Sequence, residues 1–156
     1  MSYTIRYATP EDGEAMYVLL PRLCAFDLPP NRKPEHTFTG DGKMLKQWMN
    51  GEHPNTIVHV AIDEDNKILA WSYVTLQPEF MSYAPSAHLE VILVSEEASG
   101  QGIGKALLST AEKEAKERGA KSMTLHVWEN NTVARSIYEK NGYNSELLRY
   151  IKWLDD

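Results

Sequence analysis

An apolar run followed directly by alternating glycines constrains the fold of this chain more than any other feature. Residues 88–94 (HLEVILV) form an apolar stretch typical of a buried strand, and glycine then occupies positions 100, 102 and 104. From residue 102 to residue 118 apolar side chains recur every four positions, which predicts an amphipathic helix. Residues 122–128 (SMTLHVW) alternate again as a strand, so the segment predicts a right-handed parallel crossover.

The rest of the chain predicts further strands and helices around this crossover. Residues 55–63 and 67–77 lie on either side of a short polar turn, which indicates an antiparallel hairpin. The other predicted elements are strands at residues 3–8 and 147–154, and helices that begin at Thr9 or cover residues 43–50 and 131–141. We therefore predict an α/β or α+β fold.

Composition limits the class of protein. The length of 156 residues predicts one domain over residues 1–156 with a sizeable core. A single cysteine, Cys24, excludes an internal disulfide, and the first residues lack the order of a signal peptide. No apolar run approaches the roughly 20 residues that a membrane helix needs. A net charge of −6 disfavours nucleic acid and favours a cationic partner such as an amine. We expect a cytoplasmic protein without nucleic-acid or membrane partners.

The glycine spacing excludes two familiar phosphate-binding loops. A P-loop needs four residues between Gly and Gly-Lys-Ser/Thr, whereas three residues separate Gly100 from Gly104, and Ala106 replaces the hydroxyl that would hold magnesium. A dinucleotide loop counted from Gly100 would need a third glycine where Lys105 stands. The segment therefore fits neither nucleoside triphosphate hydrolysis nor a nicotinamide or flavin site.

Two interpretations of the glycines remain. The simpler one is a tight turn and a helix start that Ser99 caps. However, Gly102 and Gly104 stand where a helix prefers side chains, at a cost of about 0.5–1 kcal/mol each relative to alanine. That cost has a reason if an anion approaches the free N–H groups of the helix start, with Lys105 adding positive charge. A pyrophosphate without magnesium suits this chemistry.

Residues 88–143 carry two signatures that resemble those of the GCN5-related N-acetyltransferases. The loop of that family is usually Arg/Gln-x-x-Gly-x-Gly/Ala, and residues 99–104 align with it, although Ser99 replaces the usual Arg or Gln. The second signature is Asn-x-x-Ala-x-x-apolar-Tyr-x-x-x-Gly-aromatic. Its matching residues are Asn131, Ala134, Ile137, Tyr138, Gly142 and Tyr143.

The resemblance implies both a fold and a cosubstrate. The fold is a mixed, mostly antiparallel twisted sheet, with a central parallel strand pair splayed around the coenzyme and helices on both faces. The cosubstrate is acetyl-CoA, the acceptor is an amine, and a homodimer is compatible with the family. The implied coenzyme-binding residues are Ile92, Leu93 and Val94 along the strand, Gly100, Gln101, Gly102, Ile103, Gly104 and Lys105 in the loop, and Asn131 in the second signature.

The same resemblance suggests the catalytic groups. An alkylamine is mostly protonated at neutral pH, so a base must accept a proton before or during attack on the thioester. Glu90 lies where the family often has a base, and His88, two residues earlier, is the alternative on the same face. Tyr138 matches the usual acid. The competing structural roles are a salt-bridged strand residue for Glu90 and core packing for Tyr138.

Other sequence features are less specific. Cys24 has an apolar context and is predicted to be structural rather than a nucleophile. The histidines show no metal-ligand spacing, so we predict no metal. Residues 27–42 and 77–87 combine aromatic side chains with acids such as Asp41 and Glu79, which suits a cationic acceptor.

A second function remains as an alternative to the acetyltransferase. The chain would then be a non-catalytic module that binds acyl-CoA.

Overall fold

The computed structural model describes residues 2–155, which divide into two compact units. Of these residues, the first unit covers 2–126 and the second covers 127–155. The first unit contains the sheet and three of the helices, and the second contains one helix. The single domain over residues 1–156 stays a prediction.

A five-stranded sheet forms the centre of the first unit, in the order β1-β2-β3-β4-β5. The strands are β1 (Thr4–Tyr7), β2 (Thr56–Ile62), β3 (Ile68–Pro78), β4 (Pro85–Val94) and β5 (Met123–Leu125). The first three pairings are antiparallel, and β4 pairs with β5 in parallel. The predicted mixed and mostly antiparallel fold with one parallel pair is confirmed, and that pair lies at one edge of the first unit's sheet.

The helices are α1 (Gly13–Val18), α2 (Thr39–Met49), α3 (Ile103–Glu117) and α4 (Thr132–Lys140). Short 3₁₀ segments flank them at Pro10–Asp12, Leu20–Cys24, Pro34–Thr37 and Glu96–Ala98. The first helix stops before Pro21 and continues as 3₁₀, because proline has no N–H to continue an α-helix. None of the helices within residues 2–155 is long and apolar enough to cross a membrane.

Four predicted elements differ from the structure. The strand predicted over residues 122–128 is limited to Met123–Leu125, and the helix predicted to begin at Thr9 starts as a 3₁₀ segment before α1. The second helix was predicted over residues 43–50 but begins at Thr39 and includes Gly40 and Gly42, so packing overrides the low helix propensity of glycine. Residues 147–154 were predicted to form the last strand, and no strand is assigned there. Alternation of apolar side chains is a local signal, whereas a strand also needs a partner for its backbone groups.

The sheet is covered on both faces, as predicted. Side chains from α1, from the 3₁₀ segment Leu20–Cys24 that follows it and from α2 pack on one face. On this face Trp71 Nε1 donates to Met16 O at 3.0 Å. Helix α3 packs on the other face through Ile103 and Leu107. We call these the α1/α2 face and the α3 face. The side chains of β4 alternate between them, with Val91 and Leu93 on the former and Ile92 and Val94 on the latter.

Candidate active site

The edge of β4 that faces β5 is open along its second half. Pairing of β4 with β5 runs from Ala87 to Leu89 and no further within the first unit. Ser95 N donates to Leu69 O across the β3–β4 pair. Because hydrogen-bonding residues alternate along an antiparallel pair, the backbone of Leu93 faces β3, whereas the backbones of Ile92 and Val94 face the open edge. Val94 O accepts from Arg22 Nε at 2.9 Å, so the groups left at this edge are the backbone of Ile92 and the N–H of Val94. Coenzyme binding along Ile92, Leu93 and Val94 stays a prediction.

The glycine loop begins α3 with two left-handed residues. Gly100 and Gly102 both have φ of 80°, a conformation that residues with a Cβ rarely adopt. Gly102 occupies the N-cap position, and Ser99 Oγ instead donates to Glu96 O at 3.0 Å. The sequence interpretation in which Ser99 caps the helix is therefore wrong. The loop must turn sharply before the helix, and this accounts for two of the three glycines.

The third glycine is not required by the fold. Gly104 lies in the first turn of α3, and a Cβ there would meet only Val94 Cγ2 at 3.4 Å, an ordinary contact. The first intrahelical bond runs from Ala106 N to Gly102 O, so the N–H groups of the preceding turn point out of the helix start. The start of α3 therefore offers free N–H donors, the positive end of the helix dipole and a glycine without a side chain, and Lys105 is exposed beside them. This combination fits a pyrophosphate group.

Glu90 is the extra residue of a β-bulge. Tyr73 pairs with Val91 and Val74 pairs with Leu89, so Glu90 has no partner of its own on β3. Bulges often redirect a side chain next to an active site. Here Thr75 Oγ1 donates to Glu90 Oε2 at 3.0 Å, and this bond orients the carboxylate.

His88 lies beside Glu90, as the spacing predicts. Its Nε2 is 3.6 Å from Glu90 Oε1, and its Nδ1 shares a hydrogen bond of 2.7 Å with Thr124 Oγ1. Burial lowers the pKa of His88, the charge of Glu90 opposes that shift, and the neighbouring His126 adds to it. A neutral imidazole leaves Glu90 without a cationic partner among residues 2–155, which disfavours the salt-bridged structural role.

A second carboxylate, Asp41 on α2, shares the surroundings of Glu90. Burial and then the charge of Glu90 raise the pKa of Asp41 to about 6. The same two causes raise the pKa of Tyr73, on β3, to about 12. No Lys or Arg forms an ion pair with Asp41 within the described part of the chain. The α1/α2 face therefore carries concentrated negative charge around Glu90 near neutral pH.

The predicted residues of the second unit lie on and before α4. Asn131 caps that helix, with its Oδ1 accepting from Ala134 N at 3.2 Å. Tyr138 packs edge-on against Tyr143 at 5.8 Å between ring centroids, and burial raises the pKa of its hydroxyl. In residues 2–155 no three or more His, Cys, Asp or Glu side chains are arranged to hold a metal ion.

Three polar residues of the site escaped the sequence analysis. Thr75 orients Glu90 from β3, and Thr124 holds His88 from β5. Arg22, in the turn after α1, donates from Nε to Val94 O at 2.9 Å. Thr75 lies opposite His88 in the β3–β4 register, so correct strand pairing could have found it. No local signal distinguishes Arg22, because its contact joins residues far apart in sequence.

The first unit thus contains an open strand edge, a glycine loop that begins a helix and a carboxylate at a bulge. Residues 21–143 match the acetyltransferase (GNAT) family, which is more than half of the chain. The chain therefore belongs to that family, and the resemblance inferred from the two signatures is confirmed.

Individual relatives agree with this assignment. The chain is similar to the uncharacterised N-acetyltransferase YhfO of Bacillus subtilis, with 32% identity over 61% of this chain and 63% of that protein. A mycothiol acetyltransferase of Jonesia denitrificans is 28% identical over 65% of this chain and 30% of that protein. The chain thus spans less than two thirds of the length of both relatives.

Solved structures show the same fold. A protein from Pyrococcus furiosus described as an acetyl transferase has a TM-score of 0.79 and 28% identity, over 98% of this chain and all of that one. Glucosamine-6-phosphate N-acetyltransferase from Arabidopsis thaliana has a TM-score of 0.68 at 21% identity, over 99% of this chain and 100% of that one. The second likeness concerns the fold alone.

Proposed function

We propose that this protein transfers an acetyl group from acetyl-CoA to a primary amine on a cationic acceptor. The observation that carries the proposal is the Glu90 carboxylate, which sits at a bulge beside an open strand edge and has no Lys or Arg partner in residues 2–155. Such a carboxylate is free to accept a proton from an incoming ammonium group. Family membership and the glycine loop support the choice of acetyl donor.

Acetyl-CoA supplies the thioester that the amine attacks. The chain's own residues would hold it by backbone groups: Ile92 and Val94 along the open strand edge, and the N–H groups around Ile103 and Gly104 at the start of α3. Lys105 adds charge at that helix end. Gly100, Gln101 and Gly102 complete the loop, and Asn131 in the second unit is the remaining proposed contact.

Glu90 acts as the base in this proposal. The hydrogen bond from Thr75 orients Oε2, which leaves Oε1 to accept a proton from the acceptor ammonium. His88 Nε2, at 3.6 Å from Oε1, lies in position to take up that proton after the reaction. The bond between His88 Nδ1 and Thr124 fixes the orientation of the ring. Glu90 is thus the primary base and His88 its neighbour in the proton path.

Tyr138 is the proposed acid that protonates the departing thiolate. The change Tyr138→Phe removes the only titratable atom while keeping the ring that packs on Tyr143. We expect kcat to fall about 10²-fold, because general acid catalysis typically contributes at least that much. The Kd of CoA, measured by calorimetry, should stay within about twofold. Tyr150→Phe removes a hydroxyl from an exposed position and is the matched control. Unchanged kcat in Tyr138→Phe would remove this tyrosine as the acid.

The direct test of the function is release of free thiol from acetyl-CoA in the presence of an amine panel. The panel contains polyamines, aminoglycosides, amino acids and peptides with free lysine. Thiol release that depends on both the amine and the protein supports the transferase. Tight CoA binding without release for any amine would favour the non-catalytic acyl-CoA-binding module instead.

The negative charge around Glu90 suggests that acceptors bind as cations. Asp41 loses its charge below a pKa of about 6, whereas an alkylamine stays protonated there. We expect the acceptor KM to rise about fivefold from about pH 7 to about pH 5 in the wild type. The charge of Glu90 acts on Asp41, and Tyr73 and His88 are titratable groups that interact with Glu90, so Asp41→Asn is the discriminating variant. Its KM should be higher at neutral pH and should change less with pH than that of the wild type, because the titration of Asp41 has been removed. A pH dependence equal to that of the wild type would contradict the role of Asp41.

A further inference from the structure

Arg22 reaches the open edge of β4 from the turn that follows α1. Its Nε donates to Val94 O at 2.9 Å, across 72 positions of sequence. Because the backbone of Val94 faces away from β3, this contact places the guanidinium beside the open half of the strand edge. The side chain therefore lies along the edge that would hold the coenzyme.

Most of the donors of Arg22 are unused. A guanidinium has five N–H groups in a fixed plane, and the bond to Val94 takes the one on Nε. Among residues 2–155 no carboxylate forms an ion pair with Arg22 and no acceptor meets its two terminal nitrogens. Arg22 is only partly exposed, although the chain has 22 acidic residues to offer as partners. A partly desolvated guanidinium with free paired donors is suited to an anion, above all to a phosphate.

Val94 also connects Arg22 with the glycine loop. Its side chain lies against Gly104, where a Cβ would be 3.4 Å from Val94 Cγ2. Arg22 and the first turn of α3 thus converge on the same residue, one through the carbonyl and the other through the side chain. The loop's own hydroxyl at Ser99 is turned to Glu96 O and provides no donor outward.

We infer that Arg22 binds the pyrophosphate of the coenzyme through its terminal nitrogens, while Nε remains on Val94 O. This inference rests on the proposed acetyl-CoA function. It adds a side-chain cation from a distant part of the chain to a site otherwise built from backbone donors and Lys105. The charge and geometry of Arg22 suit a bridging phosphate better than an uncharged pantetheine chain.

The test measures Kd by calorimetry or NMR for CoA, for dephospho-CoA and for pantetheine, which lacks phosphate. Arg22→Gln should raise the Kd of CoA and of dephospho-CoA about tenfold, as expected for loss of charge-assisted hydrogen bonds. The Kd of pantetheine should stay within about twofold of the wild-type value. The salt dependence of CoA binding should also weaken, because one cation has been removed.

Two further variants keep the outcomes distinct. Arg22→Lys keeps the charge and should recover part of the CoA affinity, and Arg149→Gln removes a charge from an exposed position and should change nothing. If Arg22→Gln raised the Kd of all three ligands equally, Arg22 would only hold the strand edge, and the inference would be overturned. If it raised none of the three Kd values, Arg22 would play no part in binding, and the inference would be overturned as well. Loss of the effect with dephospho-CoA would also overturn it, by moving the contact to the 3′-phosphate. Failure of the wild type to bind CoA would instead refute the proposed function itself.

Discussion

The variant Glu90→Gln should lower kcat by about 10²- to 10³-fold, within the usual contribution of a general base. The amide is nearly the same size as the carboxylate and its oxygen can still accept from Thr75 Oγ1, so the local structure should persist. What it loses is the ability to take a proton. Because the amide cannot neutralise an ammonium group, the reaction then depends on the small fraction of acceptor that is already neutral at the working pH.

This dependence gives the variant a distinctive pH profile. The neutral fraction of an alkylamine grows about tenfold per pH unit below its pKa of about 10. The defect of Glu90→Gln should therefore shrink as pH rises from about 7 to about 9, a recovery that a merely structural lesion would not show. The measurement is the rate of thiol release at saturating acetyl-CoA, alongside the Kd of CoA. Glu117→Gln, at an exposed position at the end of α3, is the control and should behave as the wild type. A defect that is independent of pH, or no defect, would remove Glu90 as the base.

Such a test depends on geometry that the sequence only partly predicts. Apart from the last strand, the order of the elements follows from local patterns, as do the parallel strand pair around a helix and the helix start at the glycines, and the structure contains them. The proximity of His88 and Glu90 also follows from their spacing along a strand. Local periodicity is reliable here because a strand and a helix each repeat on a scale of a few residues.

The remaining features of the site depend on contacts between distant segments. The bulge at Glu90 arises from the register of β4 on β3, and a register shift leaves no mark in the spacing of apolar residues. Arg22 forms its hydrogen bond with Val94 only when the turn after α1 is packed on the sheet. In the same way, Asp41 on α2 interacts with the charge of Glu90 only when α2 is packed there. The backbone direction of Leu93 illustrates the same limit, because it is decided by pairing with β3.

Gly104→Glu should abolish measurable CoA binding, with an increase in Kd of more than about 10²-fold. The glutamate adds bulk and a negative charge where the proposed pyrophosphate meets the N–H groups of α3. The fold has little reason to suffer: the new Cβ would make one ordinary contact of 3.4 Å, with Val94. An acid in the first turn of a helix is favourable by about 0.3–1 kcal/mol, and replacing glycine within a helix also favours folding. The variant should therefore be as stable as the wild type or slightly more so, which separates lost binding from lost structure.

The chain offers a matched control for this variant in Gly40. Gly40 is the second residue of α2, as Gly104 is the second residue of α3, and nothing lies within 4 Å of the Cβ it would carry. Gly40→Glu adds the same charge at an equivalent helix position and should leave the Kd of CoA unchanged. Gly104→Ala adds one methyl group without charge, and an intermediate increase of about tenfold would show that the backbone itself is approached closely. If Gly104→Glu binds CoA as tightly as Gly40→Glu does, the glycine is only a helix start and the pyrophosphate lies elsewhere. Gly104→Ala should weaken CoA binding and Gly104→Glu should weaken it more, while the thermal stability of both stays at or above that of the wild type. In that case ligand binding, and not the fold, explains why a glycine is kept at this helix position despite its cost in free energy.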